Sequence, residues 1–220
     1  GSRLLTGSHS IYKTCEAYIA QFHNAESALI FNSGYQANIG LLGTIARKED
    51  TILYDKKIHA SARDGIRLSK AKSYGFEHNS IESLSKKLKV AMGEIFVVVE
   101  SVYSMDGDEA PLEELVRICE QHKAFLIVDE AHALGVYGER GEGLVQLLGL
   151  EDKVLARLFT FGKALGSHGA VIVGDEILRS YLINYARSFI YTTALPPNSI
   201  DHILSSYKML SETELHADLR

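Results

Sequence analysis

The chain has 220 residues, 46% of them hydrophobic and 23% charged, with 28 acidic against 23 basic side chains and a formal net charge of -5. This is enough for one sizeable core, and a diffuse acidic balance excludes a binder of the nucleic-acid backbone, which needs a basic face. No apolar run is long enough to cross a bilayer, no charged-then-apolar leader opens the chain, and Cys15 and Cys119 lie far apart as free thiols, so a cytoplasmic protein without a membrane partner is expected.

A helical pattern at residues 11–22 leads into a short apolar run at 28–31 (ALIF), a second helical pattern at 35–47 and a run at 51–54 (TILY). Next come a helical pattern at 81–88, a run at 95–99 (IFVVV), a helical pattern at 112–121 and a run at 125–128 (FLIV). Runs at 156–161 and 170–173 (AVIV) and a helical pattern at 176–188 follow. Apolar runs without alternation are strands covered on both faces. The series therefore predicts an α/β class, a three-layer domain with a mostly parallel sheet flanked by helices. No repeat or linker divides the chain, so residues 1–220 read as one domain. Ligands in such sheets gather beyond the carboxyl ends of strands, which makes the polar residues after each run the ones to read for chemistry.

Asp129 closes the run at 125–128, and His132 follows three residues later. The structural reading is a turn former and a loop histidine. A helicase-type magnesium acid would require a G-x-x-x-x-G-K-[ST] loop, and the nearest segment, 161–164 (FGKA), lacks both the first glycine and the hydroxyl. A pyridine cofactor also needs this pair: the carboxylate keeps the ring nitrogen protonated, and the imidazole bonds the ring's phenolic oxygen. Lys163 follows an apolar strand between Gly162 and Gly166, which are expected to allow close backbone approach. Although most lysines are solvated, apolar flanks would lower this one's pKa and make it an amine nucleophile for a Schiff base.

Thr160, three residues earlier, could hold a phosphate oxygen. Ser33, Gly34 and Tyr35 mark a strand-to-helix turn whose first amides form a natural phosphate seat, though many αβ units begin this way without a ligand. His59 also follows an apolar run; alone it reads as structural, beside an aromatic cofactor as a stacking ring. Glu100 and Ser104 lie just past another strand. Asp106 and Asp108 read as turn formers around Gly107, since the loop lacks EF-hand spacing and no metal site is expected.

Together the segments SRLLTGSHSIY, LIFNSGYQAN, KKIHAS, ESVYSMDGDEAPL, VDEAHALGVYGERG, TFGKALGSHGA and IYTTALPP resemble, in order and from Ser2 to Pro197, the α-oxoamine synthases. These are pyridoxal 5'-phosphate (PLP) enzymes of fold type I. The resemblance implies the large, cofactor-binding domain of the aspartate-aminotransferase-like fold. It assigns Lys163 as the Schiff-base lysine, Asp129 as the ring-nitrogen partner, His132 as the phenolic-oxygen partner and His59 as the stacking ring. Thr160 and the Gly34–Tyr35 backbone would hold the phosphate, with Ser33 at the same turn. Thr192 or Thr193 would reach a phosphate across a homodimer interface, and Glu100 and Ser104 would line the pocket.

The implied reaction condenses an amino acid with an acyl thioester, on CoA or acyl carrier protein, with loss of CO2. Its TFGKALGSHGA form favours the biotin-pathway branch, which uses L-alanine and a pimeloyl thioester. The alternatives are 2-amino-3-ketobutyrate CoA ligase, serine palmitoyltransferase and 5-aminolevulinate synthase. Outside the family stand a threonine aldolase, a non-catalytic partner subunit, against which Lys163 counts, and a plain dinucleotide-binding domain, against which the missing G-x-G-x-x-G counts. The family's N-terminal arm and its small domain, which carries a substrate-carboxylate arginine, are not recognised in this sequence. A fragment of a longer protein is therefore expected, one that binds PLP but turns over poorly alone.

Overall fold

The structure, a computed structural model, describes residues 1–212. Its centre is one seven-stranded sheet: β1 (Ser27–Phe31), β2 (Thr51–Asp55), β3 (Lys72–Phe76), β4 (Ile95–Glu100), β5 (Phe125–Asp129), β6 (Ala156–Thr160) and β7 (Ala170–Gly174). The spatial order is β1-β7-β6-β5-β4-β2-β3. Neighbours from β6 through β5, β4 and β2 to β3 pair parallel, whereas β7 runs antiparallel to both β6 and β1. One reversed strand among seven makes the sheet mostly parallel, as the apolar runs predicted.

Successive strand residues point to opposite faces, and both faces are apolar. Leu29, Ile52, Val98, Ile127, Leu158 and Ile172 face a layer formed by α2 (Gly34–Leu42), α3 (Ala60–Leu68) and α7 (Glu176–Tyr185). On the other side Leu53, Val97, Val99, Leu126 and Val128 meet α4 (Ile81–Leu88), α5 (Leu112–Gln121) and the short α6 (Leu144–Leu147). Ile30, Phe159, Val171 and Val173 on that side meet α1 (Ser10–Phe22) and α8 (Pro197–Glu212). Each fully buried aliphatic or aromatic side chain contributes about 1.5–3 kcal/mol relative to exposure.

Four elements lie outside the sequence expectations. β3 (KSYGF) is an edge strand with three exposed residues in a row and no apolar run to betray it. α3 (ASARDGIRL) contains Gly65, poor for helix propensity, yet a Cβ there would stand 2.7 Å from the Asn38 carbonyl of α2, so the glycine permits the packing of the two helices. α6 is a single turn. α8 buries Ile200, Ile203, Leu204 and Tyr207, an i, i+3, i+4, i+7 stripe that was legible but unread. Two predicted helices also end early, α2 at Leu42 rather than residue 47 and α7 at Tyr185 rather than residue 188.

The N-terminal segment is tied down by charge. Glu16, 4% exposed on α1, accepts both guanidinium arms of Arg3, at 2.5 and 3.1 Å, and the Ile30 amide of β1 at 2.9 Å. Arg3 in turn lies over the Tyr12 ring, 4.0 Å from its centroid. Removing one partner of such a pair strands the other charge away from water. Glu16→Ala is expected to cost about 3 kcal/mol of stability, read as a lower urea midpoint at unchanged denaturant slope; a variant that unfolds with wild type would show the clamp to be idle.

Candidate active site

Because six strands share a direction, their carboxyl ends open on one edge of the sheet, and β7, running back, begins there. Asp129 ends β5, Glu100 ends β4 beside it in register, Thr160 ends β6, and the turn after β1 leads into α2. The 161–169 loop joins β6 to β7 at the same edge. Between them lies a cavity of about 350 Å³ lined by Ser33, Gly34, Tyr35, Asn38, His59, Ser61, Glu100, Asp129, His132, Thr160, Lys163, Ser167 and His168, among others.

Lys163 Nζ lies 2.7 Å from His132 Nε2, the ammonium donating to the neutral ring. Solvent reaches Lys163 through the open mouth, but desolvation by the walls depresses its pKa, with Asp129 and Glu100 pulling the other way. Burial also lowers the pKa of His132, and the Lys163 charge adds to the effect. A neutral imidazole against a weakened ammonium is a pair through which one proton can pass at modest cost.

Asp129 is held on both oxygens. Oδ1 accepts the Ala131 amide at 3.0 Å, and Oδ2 accepts the Asn38 side-chain amide at 3.0 Å. Asn38 also donates to Ser61 Oγ at 3.0 Å, and Ser61 Oγ meets His59 Nδ1 at 2.8 Å. His59 caps α3 by accepting the Ser61 amide, while its own amide donates to Glu100 Oε1 at 2.6 Å. Burial and the Asp129 charge push Glu100 up to about 7, against the lowering effects of the His59 amide and Lys163.

The opposite wall is built for an anion. Ser33 caps α2 by accepting the Gln36 amide at 3.2 Å, and the first backbone bond of the helix runs from Ala37 to Ser33 at 3.0 Å. The amides of Gly34 and Tyr35 therefore precede the hydrogen-bonded helix and carry its positive dipole end. Gly34 lies so close to β6 that a Cβ there would meet Thr160 Cγ2 at 2.5 Å. Thr160 Oγ1 is buried without a hydrogen-bond partner. An orphaned hydroxyl beside open amides is an anion seat.

Of the residues singled out in the sequence, the cavity unites Lys163, Asp129, His132, His59, Ser33, Gly34, Tyr35, Glu100 and Thr160. Three stand apart. Ser104 is exposed on the turn beyond β4, away from the cavity wall. Thr192 donates its hydroxyl to Ser188 O at 2.8 Å, the Thr193 carbonyl accepts from Asn32, and neither residue lines the cavity of its own chain. The glycines beside the lysine play another part than expected. A Cβ at Gly162 would make only an ordinary 3.7 Å contact, and Gly166, with open space around it, is needed for its φ of +58°. Asn38, Ser61, Ser167 and His168 were not read as site residues; a buried amide among the apolar residues that α2 turns inward is the signal that marks Asn38.

A nucleophilic amine and a buried carboxylate on neighbouring strand ends, facing an anion seat, define a cofactor-binding α/β domain. The chain belongs to the aminotransferase class I and II family, which it matches over residues 1–218. It is 48% identical to the 8-amino-7-oxononanoate synthase of Emericella nidulans over 227 residues, covering 96% of this chain and 55% of that protein. The serine palmitoyltransferase of Sphingomonas wittichii superposes with a TM-score of 0.93 at 38% identity, over 99% of this chain and 54% of that one. A variant serine palmitoyltransferase of S. paucimobilis, solved with a bound PLP-myriocin adduct, superposes with a TM-score of 0.92 at 34% identity, over 96% of this chain and 54% of that one. The chain thus spans about half the length of these relatives. Among the described residues no helix is long and apolar enough to cross a membrane.

Glu100 yields a pH test. A carboxyl raised from its ordinary 4.5 to about 7 on folding favours the folded state while protonated, and that contribution is lost as pH rises from about 4.5 through 7. Glu100→Gln is expected to remove this loss. In the cofactor-free protein the stability of the variant relative to wild type should therefore grow across the window, measured by urea unfolding at each pH; parallel profiles would place the carboxyl's titration elsewhere.

Proposed function

We propose that this chain is the cofactor-binding part of a PLP-dependent acyltransferase, an α-oxoamine synthase that condenses L-alanine with pimeloyl-CoA or its carrier-protein equivalent in biotin biosynthesis. The observation that carries this reading is the placement of Lys163 and Asp129 at one cavity with the unpartnered Thr160 hydroxyl and the open end of α2. The net change breaks the bond from Cα to the carboxylate and the bond from the acyl carbon to sulfur. One carbon–carbon bond forms, and CO2 and a thiol leave.

The residues present fit PLP. Thr160 Oγ1 with the Gly34 and Tyr35 amides would hold its phosphate, Asp129 its ring nitrogen, His132 its phenolic oxygen, Lys163 its aldehyde carbon, and His59 would cover the ring. When bound, PLP supplies an aldehyde that condenses with amines and a pyridinium that accepts electrons. Asp129, fixed by two donors, would keep the proton on the ring nitrogen. Lys163 Nζ, with its depressed pKa, takes the proton from the amino acid's Cα and returns it to the product. His132 Nε2, 2.7 Å away, steadies the lysine's proton between those events.

The greater identity to the oxononanoate synthase favours alanine and a pimeloyl chain; the closer superposition on serine palmitoyltransferase supports serine and a longer acyl chain as the second reading. A homodimer, with Thr192 or Thr193 serving the second copy's phosphate, and a cytoplasmic location belong to the same proposal. Incubating the full-length protein with alanine, serine or glycine and pimeloyl or palmitoyl thioesters, and measuring free thiol, separates these readings. An aldolase would release none. Lys163→Ala is expected to lower thiol release by at least about a hundredfold and to abolish borohydride fixation of the cofactor; full turnover by that variant would overturn the assignment.

A further inference from the structure

Asn38 on Asp129 and Ser61 on His59 join those two residues through a bond to each other, and the hydrogen bonds have only one consistent direction. Asn38 Nδ2 has two hydrogens and two acceptors at 3.0 Å, Asp129 Oδ2 and Ser61 Oγ. An ionised carboxylate accepts only, so the amide cannot be turned round without setting its oxygen against Asp129. Ser61 Oγ, having accepted from Asn38, has its own hydrogen left for His59 Nδ1 at 2.8 Å. The Ser61 backbone amide also donates to that Nδ1, at 3.2 Å, and so forbids a proton there. Asn38 is 5% and Ser61 1% exposed, so each is largely removed from solvent and satisfied by these bonds.

We propose that Asn38 and Ser61 are positioning residues, a one-way hydrogen-bond bridge that fixes the orientation of the Asp129 carboxylate and the His59 tautomer with its proton on Nε2. The bridge arises from helix packing: Asn38 lies on α2 and Ser61 in the first turn of α3, while Asp129 ends β5. It spans the two groups that the proposed function sets on the ring nitrogen and the ring face of PLP. A neutral imidazole suits the second role, because a cationic one would oppose the protonated pyridine. The bridge thus adjusts both sides of the ring together.

This inference rests on the proposed function, and its test separates the two. Full-length wild type is first titrated with PLP and reduced with borohydride; failure to label Lys163 sinks the functional reading. Given labelling, Asn38→Ala is expected to raise the PLP dissociation constant on the order of tenfold or more, as loss of outer-shell partners does elsewhere. It should also change the ratio of the bound cofactor's visible and near-ultraviolet bands, because the carboxylate has lost a donor. Ser61→Ala should weaken the cofactor's induced circular dichroism by freeing the His59 ring, and Ser61→Thr, which keeps the hydroxyl, should restore it. If Asn38→Ala misfolds, the Ser61 pair decides the matter. Wild-type spectra and affinity in Asn38→Ala, or equal behaviour of Ser61→Ala and Ser61→Thr, would overturn the bridge and leave the functional reading in place.

Discussion

The register between β4 and β5 governs the site. Glu100 and Asp129 are paired Cα partners at the ends of neighbouring parallel strands, so two carboxyl groups enter one low-dielectric edge side by side. Their chemistry must then diverge. Asp129 receives the Ala131 amide and the Asn38 side chain, both donors to the ionised form. Glu100 receives the His59 amide, and burial beside a neighbouring charge lifts it to about 7. A one-residue slip in either strand would turn its acid to the opposite face and break the pairing of the two carboxyl groups at this edge.

Much of this was legible before any fold was drawn. Continuous runs such as IFVVV and AVIV mark strands covered on both faces, and such strands in α/β alternation place their ligands at carboxyl ends. That rule alone points to Asp129, Thr160 and Glu100. The remaining site residues were less visible for physical reasons. Asn38 and Ser61 act through side-chain amide and hydroxyl bonds between two helices, contacts that no periodicity encodes. Thr192 and Thr193 were read as phosphate ligands of a second copy, and in this chain Thr192 donates its hydroxyl to Ser188 O within its own turn. Ser104 follows the strand end by four residues, too far along an exposed turn to face the cavity.

The missed elements follow the same logic. β3 binds to β2 along one edge only and needs little apolar content, while α3 hides behind the glycine that lets it lie against α2. Composition reports what is buried, and these two elements are defined instead by their neighbours. By contrast, α8 carried an ordinary amphipathic stripe, and its omission was a matter of reading.

The loop that presents Lys163 is tied at both ends by the antiparallel pair β6 and β7, with Phe161 N bonded to Gly169 O at 2.9 Å and Ser167 N to Phe161 O at 2.8 Å. Anchored so, the amine travels by rotation about its own four-carbon stem while the main chain stays still. Such swings take picoseconds to nanoseconds, far below the microsecond cost of opening a lid. Motion of this amine is thus a matter of side-chain rotation, with no segment of main chain to be moved first.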